Sequence, residues 1–235
     1  MDLLVGVITN LKSPKYIFLF ISLLFSCTAE ETNKEELWNT LSHAIGLILS
    51  IIGAPILFYY DQHITFLSTW SIVFYVFGLT LVYSASSLYH FTNNPVLKEK
   101  FRIFDHISIY YLIAGSYAPV CLITLYDGQG LFVFLAVSAL ALFGTFFKIF
   151  LTGKFEFIFL LLYLVMGWLI VIEFNNILLY IDLYGIYLLV LGGVCYTIGV
   201  VFYSLDNLKY SHTIWHLFVL GGSISHYFMI LFYII

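Results

Sequence analysis

Charge is scarce in this chain: Asp, Glu, Lys and Arg make up only 9% of its 235 residues, against roughly 25% in an ordinary soluble domain. That shortfall excludes a water-soluble globular fold, which needs a solvated polar surface. Cysteine is also sparse. Cys27, Cys121 and Cys195 share no close spacing, which excludes a disulfide framework and a thiolate metal site. Lys and Arg together number nine, and no nucleic-acid partner is expected. In place of the missing polar residues the chain has 62% hydrophobic and 20% aromatic residues, with a mean hydropathy of +1.02. The composition predicts an integral membrane protein, and at roughly 20 residues per span the length allows about seven spans in one polytopic unit.

The chain predicts two parts. Residues 1–35 form a leader: a modestly polar start with Lys12 and Lys15, an apolar run from Tyr16 to Cys27, and the polar stretch Thr28 to Glu36. About twelve apolar residues are too few to cross a hydrocarbon core of about 30 Å and suit an interfacial or signal-like segment. Leu24-Phe25-Ser26-Cys27 makes a loose lipobox in which Phe25 fits poorly, so the expectation is a dispensable interfacial leader. Residues 36–235 form the membrane domain. Its apolar segments fall at about 43–60, 66–90, 104–126, 130–149, 157–174, 183–204 and 213–235, separated by turn residues such as Asn93-Asn94-Pro95, Asp127-Gly128-Gln129-Gly130 and Asn175-Asn176. The fold class is therefore all-α, a polytopic membrane protein with seven transmembrane helices.

Orientation follows from a second absence. Alternate loops carry Asp61, Asp127, Glu173 and Asp182 but no Lys or Arg. All nine basic residues fall on the other side: Lys12, Lys15 and Lys34; Lys98, Lys100 and Arg102; Lys148 and Lys154; and Lys209. The positive-inside rule then predicts a cytoplasmic N-terminus and an outside C-terminus, in a plasma membrane, most simply a bacterial inner membrane.

With topology set, the polar residues of the spans gather at one depth. Glu36, Asn39, Ser42 and His43 lead into the first span, His90 ends the second, Asp105 and His106 begin the third, and His212 and His216 begin the seventh. Ionisable groups in a membrane are costly unless paired or metal-bound, so one layer of them marks a functional site. His212 and His216 are four apart on one helix face, about 6 Å along the axis, and can reach one ion. With His90 they would give three nitrogen ligands and a fourth position for water, the arrangement of catalytic Zn²⁺. Asp105 could take a proton from that water, and Ser86, one turn before His90, could hydrogen-bond a substrate carbonyl; the chemistry is hydrolysis. The Glu36 to His43 face either supports this site or only caps the first helix. His106 points about 100° from Asp105 and reads as a network member, and His63 as a solvated loop residue. His226 lies roughly 15 Å beyond His216, too far to share its metal. Gly115-Ser116, Gly192-Gly193 and Gly221-Gly222 are expected at close helix contacts.

Glu36-x-x-Asn39-x-x-Ser42-His43, Ser86-x-x-x-His90, Asp105-His106, Ile113-Ala114-Gly115-Ser116-Tyr117-Ala118-Pro119, the stretch from Gly192-Gly193 to Tyr203, and His212-x-x-x-His216 together resemble the bacterial hemolysin III family. That family is similar to the progestin and adipoQ receptors and, more distantly, to the alkaline ceramidases. The resemblance runs from about residue 36 to the C-terminus. It implies seven helices and a zinc ion held by His90, His212 and His216 with Ser86 and Asp105 beside it. It also suggests hydrolysis of a lipid amide or ester, membrane lipids being environment and substrate. Two other functions stand beside the hydrolase. A pore-forming cytolysin is suggested by the family name alone, and a receptor-like scaffold would use the metal only to staple the second span to the seventh.

Overall fold

The computed structural model describes residues 32–205 and 208–235, all of them helix, turn or short connection with no strand among them. Most of the leader therefore lies outside the described residues. Seven helices are long and apolar enough to cross a membrane, as the composition predicts. They are the first span Asn33–Tyr60, the second Ser68–Phe91, the third Pro95–Pro119 running on through a wider turn Val120–Thr124, the fourth Gly130–Leu151, the sixth Leu183–Tyr203 and the seventh Ser211–Tyr233. The fifth is built in three pieces: Glu156–Trp168, a tighter turn at Leu169–Glu173, and Phe174–Tyr180.

Three boundaries differ from the sequence expectation, each for a local reason. The first helix starts ten residues before the apolar segment because Thr32 caps it. The Thr32 side chain accepts from Glu35 N, and Glu35 Oε2 accepts from Thr32 N at 2.9 Å, a reciprocal capping box. The third helix starts at Pro95 because Asn94 Oδ1 accepts from Val96 N and Leu97 N at 3.0 and 3.1 Å, and proline is suited to a first turn. Lys98, Lys100 and Arg102 are thereby helical. Asn175-Asn176 is no break: Asn176 Nδ2 donates to the buried Glu173 carboxylate at 2.7 Å, and the helix continues.

The outer surface is apolar, with Phe66, Phe91, Phe132 and Ile172 among many exposed side chains, the reverse of a soluble protein and the condition lipid tails require. Inside, small residues set the spacing. A methyl group on Gly78 would lie 2.5 Å from the Tyr111 carbonyl oxygen, and one on Gly115 2.7 Å from that of Phe74. The second and third spans thus touch backbone to backbone at two glycines. Gly192 and Gly222 are likewise filled by His226 and by Tyr196, whereas Gly193 and Gly221 have room to spare.

Candidate metal centre and adjoining cavity

The last turn of the second span and the first turns of the seventh bring three imidazoles together. One ring nitrogen from each of His90, His212 and His216 lies within 4.8 Å of the others. The rings meet edge to face, His90 with His212 at 4.9 Å between centroids, His90 with His216 at 5.1 Å, and His212 with His216 at 4.6 Å. His90 and His216 are almost wholly buried.

The first helix supplies the supports. Its capped start puts Glu36, Asn39, Ser42 and His43 on the face turned to these rings. His90 Nδ1 lies 2.7 Å from Glu36 Oε2, and the same carboxylate accepts from Lys98 Nζ through Oε1 at 2.5 Å. A carboxylate and a carbonyl only accept, so His90 Nδ1 carries its proton toward Glu36, and His216 Nδ1 carries its proton toward Asn39 O at 3.1 Å. Ser42 Oγ sits 3.0 Å from the same nitrogen. Both rings are thereby fixed as the tautomer whose Nε2 lone pair is left for a ligand. Metal-binding histidines characteristically have their second nitrogen held by a carboxylate or carbonyl in this way. The donor set, its tautomers and its burial fit a divalent ion of borderline softness. The Glu36 to His43 face, left open between capping and site support, is in contact with the site. His43 also stacks on His216, 3.6 Å between centroids and 15° from parallel.

Ser86 and Asp105 are both buried on the wall of a cavity that His212 and His216 also line. All five predicted site residues are therefore gathered at one end of the bundle. His106 shares that wall, has its Nδ1 4.0 Å from Glu156 Oε2, and accepts from the Tyr163 hydroxyl through its backbone carbonyl at 2.8 Å. His63 is exposed as a loop residue and contacts Asp61. His226 stays out of the histidine cluster and makes its contact to Leu189 O at 3.2 Å.

From the histidines the cavity runs between the third, fifth, sixth and seventh spans, past Ile109, Leu112, Ile113, Val200 and Val219. Away from the histidine end its wall is mainly apolar. Gly167 also lines it, is exposed on the outside of the bundle, and has nothing within 4 Å of where a Cβ would stand. Trp168 and Thr197 sit at the same place, joined by an Nε1 to Oγ1 hydrogen bond of 3.1 Å.

Sequence reasoning missed one charged pair. Lys148, assigned to a loop, is a buried residue of the fourth helix and donates to Glu156 at the start of the fifth. Its signal was present: a lysine inside a continuous apolar helix needs a partner, and Glu156 is the acid closest in sequence.

Residues 31–227 match the profile of a family described as Haemolysin-III related. The chain is 38% identical to "Hemolysin-3" of Bacillus cereus over 203 residues, covering 86% of this chain and 93% of the relative. It is 40% identical to "Hemolysin-3 homolog" of Bacillus subtilis (strain 168) over 205 residues, covering 86% and 95%. It is also 29% identical to the human "Monocyte to macrophage differentiation factor" over 210 residues, 83% of each chain.

Proposed function

We propose that this chain, which belongs to the haemolysin III-related family, is a zinc-dependent hydrolase that cleaves lipid amide or ester bonds within the membrane. The observation that carries the proposal is the joining of two environments. Three imidazoles, two of them with preset tautomers, stand at one end of an apolar cavity, and a carboxyl and a hydroxyl stand on its wall.

His90, His212 and His216 would hold the ion, which supplies Lewis-acid polarisation of the scissile carbonyl and activation of water. Glu36 and the Asn39 carbonyl keep the ligand rings in register. Asp105 is the group that takes a proton from water and returns it to the leaving amine or alcohol, since among the described residues it is the one carboxyl on the cavity wall. Ser86 donates a hydrogen bond to the carbonyl oxygen as negative charge develops on it. The apolar walls seat the acyl chain and keep bulk water from the rest of the cavity.

The reading assigns the N-terminus to the cytoplasm of a bacterial cell and the site to the inner leaflet of its inner membrane. The one-sided distribution of Lys and Arg supports it, as do Lys98, Arg102 and Lys148 at the histidine end of their helices. Headgroup bonds lie at the depth of such a layer.

The test is release of free fatty acid, followed by mass spectrometry, from a panel of N-acyl amides and acyl esters presented to zinc-loaded protein in lipid nanodiscs. Turnover is expected to vanish in Asp105→Asn and to fall about 100-fold in Ser86→Ala, the usual worth of one oxyanion donor. Zinc-loaded protein that cleaves nothing in the panel would overturn the hydrolase and leave the receptor-like scaffold.

A further inference from the structure

His226, at the far end of the cavity, carries a buried ring nitrogen that has no hydrogen-bond partner among the described residues. His226 is 8% exposed and lines the cavity. Its Nε2 faces the Leu189 carbonyl at 3.2 Å, which accepts, so the proton sits on Nε2 and Nδ1 has a bare lone pair. That Nδ1 is buried with no hydrogen-bond partner among the described residues. Other polar side chains along this stretch are already bonded within the protein. Tyr196 meets Ser223 at 3.0 Å, Thr197 donates to Gly193 O at 2.8 Å, Ser116 to Ile113 O at 2.8 Å, and Tyr117 to Met166 O at 2.7 Å.

The ring is held in place rather than loosely packed. It lies over Gly192, where any side chain would overlap it, and the Tyr196 ring meets it edge on at 5.5 Å. Apolar neighbours would have served the core at this depth at lower cost, because a buried acceptor gives up its water and needs a donor in exchange.

We propose that His226 Nδ1 is a second recognition point for the lipid, accepting a hydrogen bond from a hydroxyl carried partway along the substrate's acyl chain. The proposal rests on the reading of the cavity as an acyl-chain site. His226 follows His216 by ten residues in the seventh span, about 15 Å along the helix axis. An extended alkyl chain built from bonds of about 1.5 Å advances roughly 1.25 Å per carbon, so the hydroxyl would sit about twelve carbons from the carbonyl at the histidine cluster. The ligand class is thus a mid-chain hydroxy-acyl lipid. A plain saturated chain enters the same cavity but leaves Nδ1 unsatisfied.

The experiment is competition binding in detergent between radiolabelled stearate and unlabelled stearate, 2-hydroxystearate or 12-hydroxystearate, on wild type, His226→Phe and His226→Asn. Wild type is expected to prefer 12-hydroxystearate over stearate about tenfold, a difference of 1.4 kcal/mol, and to show no such gain for 2-hydroxystearate. His226→Phe is expected to abolish the preference while still binding stearate, and His226→Asn, which keeps an acceptor oxygen, to retain part of it. The comparison among the three acids on wild type stands even if a variant does not fold. Equal affinity for all three on wild type, or a preference that survives in His226→Phe, would overturn the recognition point and leave the acyl cavity intact. Failure of stearate itself to bind wild type would overturn both.

Discussion

Glu36→Ala isolates the role of the first helix in the metal centre. The Glu36 carboxylate lies 2.7 Å from His90 Nδ1, holding that ring in one tautomer and one orientation. Its other oxygen is bound to Lys98, so the carboxylate itself is held from two sides. Removing such a support from a metal-bound histidine typically costs 10- to 100-fold in metal affinity, or about 1.4 to 2.7 kcal/mol. Glu36→Gln retains an accepting oxygen but loses the charge, so it should fall nearer the lower figure. Lys98→Met removes the neighbour and leaves the His90 contact, so zinc affinity should stay within a few-fold of wild type. The assay is titration of apo-protein in detergent against a chromogenic zinc chelator of known affinity. Glu36→Ala binding zinc as tightly as wild type would refute the argument that the first helix orients a ligand.

Four further outcomes are expected. Gly78→Ala puts a methyl group 2.5 Å from the Tyr111 carbonyl oxygen, and backbone cannot swing aside as a side chain can. It should destabilise the detergent-solubilised protein by about 1–3 kcal/mol, read as a lower melting midpoint, while Gly221→Ala should not. Lys148→Met strands Glu156 beside His106 and should cost up to about 3 kcal/mol, and Lys148→Met with Glu156→Gln should recover much of that loss in the same thermal assay. Thr32→Ala removes the cap of the first helix and should cost about 1 kcal/mol, checked by hydrogen exchange of the amides at Glu35 and Glu36. Alkaline phosphatase fused after Ile235 should be active in a bacterial host, and an inactive fusion would reverse the assigned orientation.

The three-histidine cluster was legible because its parts obey local periodicity. His212 and His216 are one turn apart, Ser86 and His90 likewise, and the alternation of basic and acidic loops predicts a shared depth for these groups. Helix starts were less legible. At Asn33 and Pro95 the first turns carry Glu35, Glu36 and Lys98, which read as loop on a hydropathy scale, yet Thr32 and Asn94 cap them as helix. The support from Glu36 could not be decided by spacing, since a carboxylate in a first turn is equally a capping device. Charge alone places Lys148 between the fourth and fifth spans, because its partner Glu156 is reached only across the turn containing Gly153 and Phe155, both at positive φ. His226 reads from spacing as separate from the other histidines, and it lies outside their cluster. Its own surroundings, Gly192 and the Leu189 carbonyl of the sixth span, are fixed by helix packing and leave no pattern along the seventh span.

The central claim is that His90, His212 and His216 hold a zinc ion. Elemental analysis of purified wild-type protein and of His216→Ala, each after zinc loading and removal of free metal, tests it most directly. The account predicts about one zinc per chain in the wild type and its loss in His216→Ala, with the helical circular dichroism of the two proteins the same. Wild type that retains no zinc after loading, or His216→Ala that retains as much as wild type, would contradict it.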